Sequence, residues 1–163
     1  MKIKVSTLFF CLFINQGAPA QSFRSRAAQA IWKSADYGYL LYQDCGMNVT
    51  IQHSNVIVRL NVAELQCSGD RNRFDFSQSL KSYDFQINEA GEVFFDKNRV
   101  GIFQYGNFEA TFKNEYEERI YLKFSVREEA LTRFLVSVDS PDYVSYDMWS
   151  ENFDRVSLVP YNN

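Results

Sequence analysis

The sequence predicts a mainly β protein: a single antiparallel meander that closes into a small barrel, with one N-terminal helix after a cleaved signal peptide. Apolar and polar residues alternate from about residue 39 onward, which is typical of strands with one face on a core and the other in water. Turn residues recur about every 8 to 12 positions, as in small β domains. The segments between successive strands are too short to contain a helical crossover, so neighbouring strands are expected to be antiparallel. A two-sheet β-sandwich is the alternative architecture.

Residues 1–20 have the features of a cleavable signal peptide. They begin with two lysines, continue with an apolar run of 10 residues over 5–14, and end in Ala-Pro-Ala. A transmembrane anchor is the alternative, but a helix of that length crosses only about 15 Å, roughly half of a bilayer core. We therefore expect cleavage before Gln21 and a periplasmic or extracellular protein with no membrane span in the mature chain. Residues 21–163 are expected to form one β-rich domain.

The composition is that of an ordinary globular protein with a modest acidic excess. Of 163 residues, 46% are hydrophobic and 23% are charged, which excludes a disordered or collagen-like chain. The formal charge is −3, and removal of the two leader lysines leaves 15 basic against 20 acidic residues. Nucleic acid and anionic membrane surfaces are poor partners for this balance, because phosphate binding needs concentrated lysine and arginine.

The segment of about residues 22–36 is predicted to be the N-terminal helix. Its apolar residues recur at steps of three, four and one and form one face: Phe23, Ala27, Ala30, Ile31 and Ala35. Alanine also favours a helix. This segment is the only convincing helical stretch of the chain.

From Tyr39 onward, each expected strand has one set of apolar residues that faces inward. These sets are Val49 and Ile51; Val56, Val58 and Leu60; Phe74 and Phe76; Tyr83, Phe85 and Ile87; Phe108, Ala110 and Phe112; Ile120, Leu122, Phe124 and Val126; and Thr132, Phe134, Val136 and Val138. Shorter strands are expected around residues 93–95, 100–103, 143–148 and 156–159.

Cys45 and Cys67 remain once the leader, which contains Cys11, is removed. In an oxidising compartment they are expected to form one disulfide. The closed loop of about 23 residues corresponds to roughly 3 kcal/mol of stabilisation in the chain-entropy model. Two buried free thiols are the alternative. A simple hairpin would place Cys45 opposite Ala63, four residues before Cys67. Four residues of strand span roughly 13 Å, which is too far for a disulfide, so the bridge is expected at a barrel end, outside the regular ladder.

No residue pattern points to catalysis. The only histidine, His53, is expected as an exposed turn residue, and no serine-nucleophile, phosphate-loop or zinc-ligand motif accompanies it. The acids that could form a carboxylate pair or a calcium site are expected on turns or outward faces: Glu109, Glu115, Glu117, Glu118, Glu128, Glu129, Asp139 and Asp142. We therefore assign no catalytic, cofactor-binding or metal-ligating residue, and we expect neither an enzyme nor a cofactor.

The aromatic content is the strongest functional indication. The mature chain holds 24 aromatic residues, and the inward phenylalanines favour a filled interior. Tyrosine and tryptophan at strand ends or on the outer face suit protein interfaces and sugar stacking. These residues are Tyr37, Tyr39, Tyr42, Tyr105, Tyr116, Tyr121, Tyr143, Tyr146 and Trp149.

We therefore expect an exported, non-catalytic binding protein of the cell envelope. Its partner is a protein or glycan at the barrel rim or outer face, or a small apolar ligand inside. One alternative is a cell-wall glycan hydrolase that uses paired carboxylates. Another is an inhibitor of a secreted enzyme, which would present a protruding loop, such as Asn114–Glu118, at the barrel mouth.

Overall fold

The computed structural model describes residues 19–34, 38–67, 82–141 and 145–156. In those ranges it contains eleven strands and no helix. The strands are β1 (Gln21–Ser34), β2 (Gly38–His53), β3 (Ile57–Cys67), β4 (Tyr83–Ile87), β5 (Glu92–Phe95), β6 (Asn98–Gln104), β7 (Asn107–Lys113), β8 (Arg119–Arg127), β9 (Ala130–Asp139), β10 (Ser145–Ser150) and β11 (Asp154–Val156). Residues 1–18 of the leader and the strand expected at Phe74 and Phe76 lie outside the described residues.

All eleven strands belong to one antiparallel sheet whose hydrogen bonding closes into a ring. Neighbours in sequence are neighbours in the sheet from β1 to β10, and β1 also pairs with β10. Strand β1 divides one of its edges between two partners, since residues 22–24 pair with β11 and residues 29–33 pair with β10. The predicted antiparallel meander is confirmed.

The predicted helix over residues 22–36 is wrong in its described part, which is strand β1. The buried positions are Phe23 and Ser25, followed by Ala28 and Ala30. The alternation of buried and exposed residues along β1 therefore changes from odd to even positions. It changes because the β1–β2 register shifts between residues 25 and 28 and again between 28 and 30. A β-bulge adds one residue to a strand, so two runs of period two acquire a spacing that imitates a helix. Pairing on both edges of β1 outweighs the helix propensity of alanine.

The inside of the ring is filled by the alternating apolar side chains. Four residues that the alternation places inward are at most 5% exposed: Phe85, Phe112, Leu122 and Phe134. The phenylalanine rings contact one another, with Phe108 stacked on Phe124 at 4.7 Å between centroids and 5.1 Å from Phe85. Tyr42 and Tyr146, expected at strand ends or on the outer face, are also buried in this core.

Two predicted inward positions are wrong, one because it lies in a turn and one because a strand register shifts. Val56 lies in the β2–β3 turn and is 48% exposed. Thr132 is exposed and Leu131 is buried in its place, since the β8–β9 register shifts between Ser125 and Val126.

Cys45 lies directly opposite Cys67 in the β2–β3 ladder. The β2–β3 turn is longer than a simple hairpin and moves the register by three residues, and a bulge after Met47 moves it by one more. The expected position outside the ladder is therefore wrong. Opposite residues of an antiparallel pair have Cα atoms about 4.5 to 5.5 Å apart, which a disulfide can span. This register supports the predicted bridge, which stays a prediction.

Candidate functional site

One end of the ring carries an open cleft of about 1150 Å³, which we call the turn cleft. It is formed by the turns that join β2 to β3, β4 to β5, β6 to β7 and β8 to β9. A meander returns to the same end at every second turn, so segments far apart in sequence meet there. The lining includes His53, Val56, Glu89, Phe103, Tyr105 and Glu128.

Backbone hydrogen bonds connect three of these turns, β2–β3, β4–β5 and β6–β7, to a neighbouring strand. They run from the Ile87 amide to the Val56 carbonyl (2.9 Å), from Phe103 to Gly91 (2.7 Å) and from Val126 to Gly106 (2.8 Å). The Gln104 side chain also donates to the Ala90 carbonyl at 2.8 Å. These three turns on the rim of the turn cleft are therefore fixed by contacts with neighbouring strands, not only by contacts within each turn.

Side chains also fix the individual turns from within. The Asn88 side-chain oxygen accepts hydrogen bonds from the amides of Ala90 (3.0 Å) and Glu92 (2.9 Å), and its amide donates to the Glu92 carboxylate. The Ser54 hydroxyl accepts from the amides of Val56 and Ile57, both at 3.2 Å. Asparagine and serine do this because their short polar side chains reach nearby backbone amides.

His53 ends strand β2 and is half-buried against the cleft wall, so its expected position as an exposed turn residue is wrong. Its ring stands edge-on to Phe103, with centroids 5.9 Å apart. Burial lowers the pKa of the His53 imidazole below its ordinary value, because desolvation disfavours the charged form. The imidazole is therefore neutral at pH 7.

The charges that line the turn cleft are all negative. Glu89, Glu128 and Glu129 are exposed at its rim, and the described lining residues include no lysine or arginine. Arg155 approaches from β11 and contacts Glu129 at 3.2 Å. Apolar surface accompanies the acids, since Tyr105 is 95% exposed.

The structure separates the carboxylates that the sequence offers. Glu128 and Glu129 form the β8–β9 turn in the cleft, whereas Glu115, Glu117 and Glu118 lie in the β7–β8 turn at the opposite end. Glu109 faces outward as predicted and accepts a 2.7 Å hydrogen bond from the Tyr121 hydroxyl. Asp142 lies outside the described residues.

The segment Asn114–Glu118 is a compact five-residue turn. Asn114 accepts hydrogen bonds from the amides of Tyr116 and Glu118, both at 3.0 Å, and donates to the Glu118 carboxylate at 2.9 Å. Tyr116 is 57% exposed. This turn lies at the end of the ring opposite the turn cleft, and the inhibitor hypothesis stays a prediction.

Sequence reasoning did not bring together Val56, Glu89 and Tyr105, because each lies in a different turn. One local signal was available, since the sequence Asn-Glu-x-x-Glu occurs at residues 88–92 and again at 114–118. It marks two turns of the same construction, one of them on the cleft rim.

Within the described ranges, no three histidine, cysteine, aspartate or glutamate side chains are grouped as metal ligands. The same ranges contain no helix that could cross a bilayer. Comparison of the chain with models of protein families, with curated proteins and with solved structures finds no match.

Proposed function

We propose that the protein is an exported, non-catalytic β-barrel of the cell envelope whose turn cleft binds a positively charged segment of a partner protein. The observation that carries the proposal is the turn cleft itself: a fixed rim with three exposed carboxylates, an exposed tyrosine and no basic residue in its described lining. A cleft of one sign attracts a partner of the other sign and accelerates its association.

The filled interior favours binding at the rim over binding inside the barrel. A barrel of about eight to ten strands can hold a small ligand only if side chains leave space for it. Here the Phe108 ring centroid lies 5.1 Å from that of Phe85 and 4.7 Å from that of Phe124. A small apolar ligand would have to displace these rings, which close packing disfavours.

Apolar contact complements the charge. Tyr105 projects from the β6–β7 turn at 95% exposure, and Val56 is 48% exposed in the β2–β3 turn. Tyrosine combines apolar area with a polar tip and is enriched among residues that dominate binding energy. We therefore place the apolar anchor of the partner beside Tyr105 and its cationic groups beside Glu89 and Glu128, since Glu129 is contacted by Arg155.

The cleft acids are poorly suited to hydrolysis. A carboxyl that acts as a general acid near neutral pH needs burial or a close like charge to retain its proton. Glu89, Glu128 and Glu129 are exposed to solvent. This favours binding over the glycan hydrolase alternative.

The test is an NMR titration of the isotope-labelled mature protein with a lysine-rich peptide that contains one tryptophan. We expect chemical-shift changes at Tyr105 and in the four turns, weaker binding at higher salt, and no binding of the same peptide with glutamate in place of lysine. Shift changes spread over the whole surface would contradict the proposal.

A pair of variants with equal charge change separates site binding from general attraction. The cleft variant is Glu89→Gln, Glu128→Gln and Glu129→Gln. The control variant removes three exposed acids elsewhere: Asp84→Asn, Asp96→Asn and Glu117→Gln. We expect the cleft variant to weaken peptide binding about tenfold or more and the control variant to change it much less. Equal weakening by both would show that net charge alone attracts the peptide.

A further inference from the structure

We propose a second binding site, for a neutral saccharide, in an open cleft of about 590 Å³ on the outer face of β2, β1, β10 and β9. We call it the Tyr39 cleft. It lies near the end of the ring opposite the turn cleft, and its lining includes Lys33, Tyr39, Ser137, Asp139, Ser145 and Asp147. The site is independent of the proposed function, because it shares no lining residue with the turn cleft.

The strand register brings the residues of this cleft together in two adjacent rows. In the first row, Lys33 lies opposite Tyr39 on one side and opposite Ser145 on the other. In the second row, Ile31 lies between Leu41 and Asp147, and Asp147 lies opposite Ser137. Alternate residues of a strand share a face, so both rows point outward beside each other.

Hydrogen bonds hold the polar groups in place. Lys33 Nζ donates to Asp147 Oδ2 at 2.9 Å, and the Ser137 hydroxyl donates to the other oxygen of Asp147. The Ser145 hydroxyl donates to Asp139 at 2.8 Å. The bond to Asp147 is the main reason that the pKa of Lys33 is raised, so the ammonium is retained. Groups fixed before binding lose little conformational entropy when a ligand arrives.

An exposed aromatic ring forms the wall beside this polar floor. Tyr39 is 76% exposed, and Leu41 on the same face is 58% exposed. A tyrosine ring offers an apolar face to the C–H side of a sugar, while carboxylates accept hydrogen bonds from hydroxyls and an ammonium donates them. This combination matches a molecule with one apolar face and a rim of hydroxyls.

Charge argues for a neutral ligand. The cleft holds one cation, Lys33, and two anions, Asp139 and Asp147, so its described lining has no excess of positive charge to attract a phosphate or carboxylate. The single cation is already paired with Asp147. The volume of about 590 Å³ lies within the range of ordinary small-molecule sites, about 300 to 1000 Å³.

The same bonds disfavour hydrolysis of the bound sugar. Both oxygens of Asp147 accept hydrogen bonds, one of them from an ammonium. Both oxygens are therefore already bonded within the protein, which leaves neither of them free to act on a glycosidic bond. We therefore expect binding without cleavage.

The experiment is an NMR titration with maltose, cellobiose, lactose and chitobiose at millimolar concentrations. We expect at least one disaccharide to shift resonances of Lys33, Tyr39 and Ser145 and to be recovered intact. Tyr39→Ala should weaken that binding about tenfold, Tyr39→Phe should retain most of it, and Tyr105→Ala at the other end should leave it unchanged.

Four results would overturn the proposal: no shift with any of the four sugars, shifts that persist in Tyr39→Ala, shifts confined to the turn cleft, or cleavage of the bound sugar. Tyr39 is exposed, so its replacement is not expected to unfold the protein, and thermal unfolding of each variant verifies this. Failure here leaves the peptide titration of the turn cleft unaffected.

Discussion

Asn88 and Asn114 occupy the same position in two turns of the same construction at opposite ends of the ring. Each begins a five-residue turn, accepts hydrogen bonds from the backbone amides two and four residues later, and donates to the glutamate that ends the turn. The fourth residue has a positive φ in both turns: Gly91 at 79° and Glu117 at 61°. The backbone requirement is therefore shared, but only one turn meets it with glycine.

We expect Glu117→Gly to stabilise the protein by about 0.5 to 1 kcal/mol. A residue with a side chain loses about 1 to 2 kcal/mol of folding free energy when it adopts the left-handed conformation, and glycine avoids this cost. Glycine also makes the unfolded chain more flexible, which cancels a part of the gain. The exposed contact of Glu117 with Lys113 at 3.7 Å adds little. Urea denaturation measures the change. The control, Glu115→Gly in the same turn, is expected to be destabilising, and equal losses in both variants would contradict this account of the turn.

Gly101→Ala is expected to be strongly destabilising, by about 3 kcal/mol or more. A Cβ atom at Gly101 would clash with the Glu109 carbonyl oxygen on the neighbouring strand, and the three nearest atoms all belong to the β7 backbone, which cannot move aside as a side chain can. The matched control is Gly38→Ala, because Gly38 has a φ of 74° but no atom of the described residues within 4 Å of its Cβ position. The control should lose only about 1 to 2 kcal/mol in the same denaturation assay. Losses of equal size would mean that β6 and β7 do not approach so closely.

His53 is expected to make stability fall as the pH falls below its ordinary pKa of 6.5. Burial lowers the pKa in the folded protein, so the unfolded chain takes up a proton that the folded chain resists. The stabilising contribution is complete above 6.5 and is lost as the pH falls from there to the folded pKa. Urea denaturation of the wild-type protein and of His53→Gln, at one pH above 6.5 and one below it, isolates the contribution of His53 to stability. A wild-type protein that loses no more stability than the variant would contradict the burial of His53.

Export and the cysteine bridge are tested by mass spectrometry of the protein secreted from cells. We expect a chain that begins at Gln21 and contains no thiol that can be alkylated before reduction. After reduction, Cys45 and Cys67 should both be alkylated. Removing the bridge with Cys45→Ala and Cys67→Ala should cost about 3 kcal/mol. An unprocessed chain would contradict export, and two free thiols would contradict the bridge.

The alternation of apolar and polar residues was sufficient to predict the antiparallel meander and most of its core. It succeeded for β4, β7 and β8, where Phe85, Phe112 and Leu122 are buried without a change of phase. It failed in β1, where bulges changed the phase at Ala28 and produced an apparent helical spacing. A bulge depends on the partner strand, so one strand read by itself does not reveal it.

The turn cleft was harder to predict than the fold. Val56, Glu89, Tyr105 and Glu128 come from four turns, and only the closure of the ring brings them to one rim. Turn chemistry is visible locally, as the repeated Asn-Glu-x-x-Glu sequence shows, but the distance between turns is set by register and ring size. The local sequence therefore indicates how each turn is built and not which turns meet.

Closure of the ring decides whether the interior is enclosed and whether binding is restricted to the outside. The most direct test of this closure is the observation of cross-strand NMR contacts between β1 and β10. We expect close Hα–Hα or amide contacts that link residues 29–33 with residues 145–149, as in the pair of Ala30 with Met148. Sequential amide contacts of a helix over residues 22–34, with no contacts to β10, would contradict the closed ring and the proposals that depend on it.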